Sequence, residues 1–199
     1  TVYGLGANAL AVMWIMFGVP IYLALPLAIA IGGVVGLFNG LLVTGLRIPS
    51  FIATLAVSGV VISAGNWFSQ TRSVNIPGDL SATYLDWAIG EALGVPNEIW
   101  VGAAFLVIMS AVLGLTPFGR LVRGIGAQER AVIASGINVD RTKIAAFTLS
   151  GTMAGVAGVV IAARLGSGSP TLANEFLLPA IACIVVGGTA ITGGVGSIW

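Results

Sequence analysis

Between Lys143 and Arg164 the chain reads Ile144-Ala-Ala-Phe-Thr-Leu-Ser-Gly-Thr-Met-Ala-Gly-Val-Ala-Gly-Val-Val-Ile-Ala-Ala163, with no charged residue in it. A helix rises about 1.5 Å per residue, so roughly 20 apolar residues span the ~30 Å hydrocarbon layer of a bilayer. This stretch meets that requirement. Four more charge-free runs do so too, at residues 1–46, 48–71, 99–119 and 176–199. The first run is long enough for two crossings, and Gly18-Val19-Pro20 supplies a break near its middle. The expected fold is an all-α integral membrane protein of about six transmembrane helices, roughly 2–17, 21–45, 50–69, 98–116, 143–163 and 176–193.

Composition points the same way. Hydrophobic residues make up 57% and charged residues 8% of the 199, against roughly 25% charged in soluble domains. The net charge of +1 and the lack of a basic tract give no reason to expect a nucleic-acid partner. Histidine is absent, which removes the commonest general base, proton relay and metal ligand. A single cysteine, Cys183, excludes an internal disulfide and reads as a packing residue. The chain starts at Thr1 without methionine and stops after a Gly-rich stretch, so it is expected to be one transmembrane domain, 1–199, truncated at both ends.

The charged residues between the spans sort by side. Arg47, Arg120, Arg123, Arg130, Arg141 and Lys143 share one side with Glu129 and Asp140; Arg72 and Arg164 share the other with Asp79, Asp86, Glu91, Glu98 and Glu175. Retention of Lys and Arg in the cytoplasm places 117–142 inside and the loop 70–97 outside. Trp67 and Trp100 then sit at the outer ends of two spans, where amphipathic rings prefer the headgroups. Leu80, Tyr84, Trp87, Ala88 and Ala92 follow one another at roughly helical spacing, which predicts a surface helix capped by Asp79 or Ser81.

Two small-residue stripes, Gly32/Gly36/Gly40 and Ser150/Ala154/Gly158/Ala162 beside Gly151 and Gly155, read as packing seams, because helices in lipid associate through close backbone approach. The glycines from Gly187 to Gly196 weaken the last span and predict that it ends or breaks within the protein.

The segment from Pro117 to Asp140 is too polar for the bilayer and too patterned for a linker. Gln128 to Ser135 can form two helical turns, with Glu129 near the positive end, Gly136 as terminator and a small face of Ala127, Ala131, Ala134 and Ser135. Asp140 is placed to cap the next span. A helix docking into a soluble partner and an interfacial helix that only anchors two spans fit this composition equally.

Here the sequence resembles a family. Phe118-Gly-Arg120, Gly124-Ile-Gly126 and Ala134-Ser-Gly-Ile-Asn-Val139 look like the cytoplasmic signature of the ribose-type (monosaccharide) permeases of ABC importers, which are related to the branched-chain amino acid permeases. Gly36-Leu-Phe-Asn-Gly-Leu-Leu42, Arg47-Ile-Pro-Ser-Phe-Ile-Ala-Thr-Leu55, Leu149-Ser-Gly-Thr-Met-Ala-Gly-Val-Ala-Gly158, Ala162-Ala-Arg-Leu-Gly166 and Val186-Gly-Gly-Thr-Ala-Ile-Thr-Gly-Gly194 match in the same order. Where members carry Gly-Gly-Asn, this chain has Gly126-Ala127-Gln128, which keeps an amide at the helix start.

The resemblance implies a permease subunit in a bacterial inner membrane, not an enzyme. It would pair with a second permease copy or homologue, two cytoplasmic ATP-binding subunits and an extracytoplasmic solute-binding protein. The ATPase-coupling helix would comprise Ala127, Gln128, Glu129, Arg130, Ala131, Ala134, Ser135 and Gly136. No cofactor is expected on this chain, and ATP would sit on the partner subunits. The only lysine, Lys143, lies between Thr142 and Ile144, so no phosphate-binding Gly-Lys-Ser/Thr loop exists.

A sugar is neutral and is held by hydrogen bonds and ring stacking. Candidate pathway residues are therefore Asn39, Thr54, Ser58, Ser63, Asn66, Trp67 and Phe68, of which Ser58 and Asn66 share a helix face. Asn174 and Glu175 are candidates for meeting the solute-binding protein. The lack of an acid within any span argues against ion coupling. A branched-chain amino acid permease, a non-transporting membrane anchor for a cytoplasmic partner and a membrane enzyme remain as competing readings.

Overall fold

The computed structural model describes residues 2–70, 72–77, 90–169 and 172–188. Seven α-helices follow in order among them: α1 (Val2–Ala11), α2 (Ile21–Leu46), α3 (Ser50–Phe68), α4 (Asn97–Leu115), α5 (Pro117–Ala134), α6 (Val139–Leu165) and α7 (Leu172–Val186). Four of them, α2, α3, α4 and α6, are long and apolar enough to cross a membrane, and the shorter apolar Val2–Met16 precedes them. The protein is a multi-pass membrane protein.

The helix ends follow local chemistry. A π-helical turn over Val12–Met16 closes the first helix, Gly18 adopts φ +64°, and Pro20 starts α2, as the break at Gly18-Val19-Pro20 predicts. Arg47 takes a left-handed conformation (φ 54°) at the end of α2, and Pro49 opens α3. Span six differs from expectation at both ends: α7 begins at Leu172 and gives way to a turn at Gly187 and Gly188, the latter at φ +84°. Glycine tolerates that backbone and ends the helix. Span five starts earlier than expected because Asn138, not Asp140, is its cap: the Asn138 side chain accepts from the Arg141 backbone N–H at 3.1 Å, while Asp140 lies in the first turn.

The helices bear out the all-α class, and two small antiparallel pairs stand beside them. Strand β1 (Val74–Asn75) pairs with β4 (Ser167–Gly168), and β2 (Glu91–Ala92) pairs with β3 (Val95–Pro96). Ala92, expected in a surface helix, is thus in a strand; the rest of that expected helix, and its capping residues, lie outside the described residues.

The core is α6 packed against α2 and α1. A Cβ placed on Gly32 would lie 2.5 Å from the Gly151 carbonyl oxygen, and one on Gly40 would lie 2.9 Å from the Ile144 Cα. Gly36 abuts the Phe147 carbonyl, and Gly158 abuts the Tyr3 carbonyl. The stripes are seams, with one shift of face. Gly151, Gly155, Gly158 and Ala162 are buried, whereas Ser150 is exposed and Ala154 only half-buried. At one end of the bundle Val74 and Ile76 lie over Ala11, Val12, Ile21 and Ala163 as a hydrophobic cap. The Ile76 N–H donates to the Gly166 carbonyl at 2.7 Å.

Two ion pairs mark opposite ends of α6. Lys143 pairs with Glu129 at 2.7 Å, and Arg164 pairs with Glu98 at 3.1 Å. Each joins two residues that the charge count assigned to the same side.

Candidate functional site

The segment between α4 and α6 is held by an elbow. Thr116 caps α5, its hydroxyl oxygen accepting from the Gly119 N–H at 3.4 Å, and Pro117 fills the first helical position, where a missing N–H costs nothing. Gly119 presses on the Leu113 carbonyl with no room for a side chain. Arg123 donates back to the Gly119 carbonyl of its own helix at 3.3 Å and to the Leu113 carbonyl at 2.5 Å, tying α5 to the end of α4.

α5 then breaks at Gln128, whose φ −158° and ψ 92° are extended. The expected independent helix over Gln128–Ser135 is therefore the second limb of a bent helix, with Gln128 as the bend itself. Ser135 follows the last turn and donates its hydroxyl to the Ala131 carbonyl at 3.1 Å; Gly136, at φ +77°, ends it as expected. Val132 on the second limb comes within 3.5 Å of where a side chain on Gly124 of the first limb would begin.

A shallow groove of about 340 Å³ lies between the limbs. Arg120, Leu121 and Gly124 line one wall, and Ala131, Val132, Ser135 and Ile137 line the other, with Ala127 and Gln128 at the bend. Three members of the expected small face, Ala127, Ala131 and Ser135, line it; Ala134 does not. All eight candidates, Ala127, Gln128, Glu129, Arg130, Ala131, Ala134, Ser135 and Gly136, are exposed. The Glu129–Lys143 pair fastens the second limb to the first turns of α6. It lies fourteen positions apart in sequence, beyond any local spacing rule, so tertiary structure alone reveals it.

The pathway candidates are more scattered. On α3, Thr54 and Ser58 are half-buried and donate to carbonyls of their own helix, at Ser50 (2.9 Å) and Leu55 (2.6 Å). Ser63 is exposed, Asn66 half-buried, and Trp67 is 77% exposed with its ring edge-on to Phe68 at 5.2 Å. Asn39 on α2 is buried, and its Oδ1 has no hydrogen-bond partner. Among the described residues these side chains form no shared hydrogen-bonded cluster. Asn174 and Glu175 have side chains outside the described residues.

One polar node escaped the sequence reading. Asn8, 1% exposed, donates to the Gly65 carbonyl at 2.9 Å, joining α1 to α3. The same carbonyl receives the Ser69 N–H and hydroxyl, each at 3.0 Å, while the Asn8 Oδ1 is unpaired. The signal was available: an amide in a charge-free run, the reason for choosing Asn39.

Comparison with known proteins agrees with this architecture. The ribose import permease protein of Haemophilus influenzae is 31% identical over 192 residues, covering 96% of this chain and 59% of the relative. The ribose import permease protein of Escherichia coli K12 is 35% identical over 176 residues, covering 88% and 55%. The L-arabinose transport system permease protein of the same strain is 35% identical over 162 residues, covering 80% and 48%. The chain thus spans between 48% and 59% of the length of these relatives. No solved structure matches it. The profile of the family described as "Branched-chain amino acid transport system / permease component" matches residues 1–198, and the chain belongs to that family.

Proposed function

We propose that this chain is permease machinery of an ATP-driven importer in a bacterial inner membrane, moving a monosaccharide or similar small polar solute into the cytoplasm. The single observation that carries the reading is the bent, solvent-exposed α5, gripped by the Gly119 elbow at one end and by Glu129–Lys143 at the other. A surface that must pass a push to the membrane helices needs to be exposed to the pusher and firmly joined to what it moves. α5 meets both conditions, and α6, which it grips, is the central packing partner of α1 and α2.

On this reading α1 and α7 complete six crossings in a single permease domain, with 117–142 facing the cytoplasm and 70–97 outside. Two ATP-binding subunits would dock on Ala127 to Gly136, a second permease copy or homologue would complete the pathway, and a solute-binding protein would deliver from outside. Closure of the ATPases on ATP would favour one of two membrane arrangements through its differential contact with the coupling limb. The chain itself would carry out no chemistry. Asn39, with its unpaired buried Oδ1, is the pathway candidate with spare hydrogen-bonding capacity.

The relatives named for ribose and arabinose favour a sugar. The family's own description favours a branched-chain amino acid as the second reading. The test is co-purification of the full permease with ATPase subunits from its own cell, followed by uptake into vesicles of labelled pentose and of labelled leucine. Capture of an ATPase, lost when Gln128 to Ser135 is replaced, supports coupling at α5. Pentose uptake supports the sugar reading and leucine uptake the second. A stable permease that captures no ATPase overturns both in favour of a membrane anchor.

A further inference from the structure

The β2–β3 hairpin leads directly into α4, and its geometry is unusual for its sequence. Its two-residue loop is Leu93-Gly94, at φ +57° and +75°, the backbone of a tight hairpin turn that favours Asn-Gly or Gly-Gly. A leucine at positive φ is strained, and Leu93 gains nothing from the fold in return, since it is 91% exposed. The base of the hairpin is closed by the Asn97 N–H donating to the Gly90 carbonyl at 2.9 Å. Its first strand is pinned to α4 by the Trp100 indole N–H, which donates to the Ala92 carbonyl at 3.2 Å.

That pin sets a depth. Trp100 and Glu98 lie in the first turn of a helix with no buried residue, so α4 has its sides free for lipid. Indole rings and charged pairs at a helix end mark the headgroup layer, and Glu98 is paired there with Arg164. Leu93, Ile99 (59% exposed) and Trp100 (48% exposed) therefore extend the apolar side of α4 outward at that level.

We propose that the Glu91–Pro96 hairpin is a lipid-surface anchor, with Leu93 seated in the headgroup–acyl boundary and Trp100 holding it there. Removal of the Leu93 side chain from water offsets the strain of its turn. The anchor fixes the height of α4, and through the Gly119 elbow the height of α5. It requires that α4 cross the bilayer and does not depend on which solute is carried.

The test places an environment-sensitive fluorophore at Leu93→Cys in a Cys183→Ser background of the full permease, in phosphatidylethanolamine/phosphatidylglycerol nanodiscs. Leu106→Cys serves as the mid-bilayer reference and Asp140→Cys as the aqueous one. The expected result is blue-shifted emission at 93, quenched more by nitroxides near the headgroups than by nitroxides deep in the chains. The unsubstituted protein, exposed to a headgroup-photoreactive phospholipid, should carry adducts within residues 91–100. Water-like emission at 93 with no adducts overturns the anchor. So does emission that shifts only after a solute-binding protein is added, which would make the hairpin a protein-docking tip.

Discussion

The α2–α6 seam and the length of α4 use glycine in opposite ways. At the seam, Gly32, Gly36, Gly151 and Gly155 stand where another helix's backbone fills the space a side chain would need. On α4, Gly102 and Gly114 meet nothing within 4 Å, and the helix has no buried residue. The first region is a rigid block built by backbone contact. The second is a lever arm, α4 joined to α5 at the Gly119 elbow, which two ion pairs tie to α6. Rigid-body motion of the lever against the block is the form of change such a construction permits.

Substitution at the seam should have the largest effect. Gly36→Leu forces a side chain into the Phe147 carbonyl and should reach or exceed the upper end of the roughly 1–3 kcal/mol typical of overpacking. Loss of the monodisperse peak in detergent size exclusion is the expected outcome, and a well-behaved variant would show that the seam can open to admit a side chain.

Next comes Asn8, inside the block. Asn8→Asp puts a charge in a buried site and should cost about 3 kcal/mol, the order expected for an uncompensated buried charge. Asn8→Ala should stay within about 1 kcal/mol, because the lost bond to Gly65 is offset by removing an unpaired buried acceptor. Thermal unfolding in detergent distinguishes the two, and equal losses would show that the amide's packing matters more than its polarity.

On the lever, Gly102→Ala and Gly114→Ala should each stabilise by about 0.5–1 kcal/mol through helix propensity alone, there being no contact to disturb. A melting temperature that falls would show that α4 is packed against something in the membrane.

The smallest effect on stability is expected at the exposed Glu129–Lys143 pair, about 0–1 kcal/mol for Glu129→Gln. Its effect on coupling should be larger than on melting. Solute-stimulated ATPase activity should fall for Glu129→Lys or Lys143→Glu and recover when the two are combined. Failure of the exchange to restore coupling would remove the pair from the lever.

Much of the helical layout was readable along the chain. The helix starts at Ile21, Ser50 and Asn97 lie within a residue of expectation, because proline and the edges of charge-free runs act locally. The glycine terminator at Gly136 was readable for the same reason, whereas two polar residues on either side of Val139 offered themselves as the cap of α6 and Asn138 took the role. The bend at Gln128 was not readable, since neither proline nor glycine stands at that position to mark it. For the candidate site, the exposure of Ala127, Gln128, Glu129, Arg130 and Ser135 agrees with the polarity of the segment. The attachment to α6 through Lys143 and the Asn8–Gly65 node depend on partners fourteen and fifty-seven positions away.

By itself the sequence determined that this chain enters a membrane and roughly where each crossing begins, because the free energy of placing a segment in hydrocarbon is close to a sum over its own residues. Only the tertiary structure decided that α6 meets its partners through Gly151 and Gly155, leaving Ser150 exposed, and that α4 stands apart while α5 bends over a groove. Those outcomes depend on which surfaces come within van der Waals reach, and backbone contact between distant segments leaves the same small residues on both candidate faces.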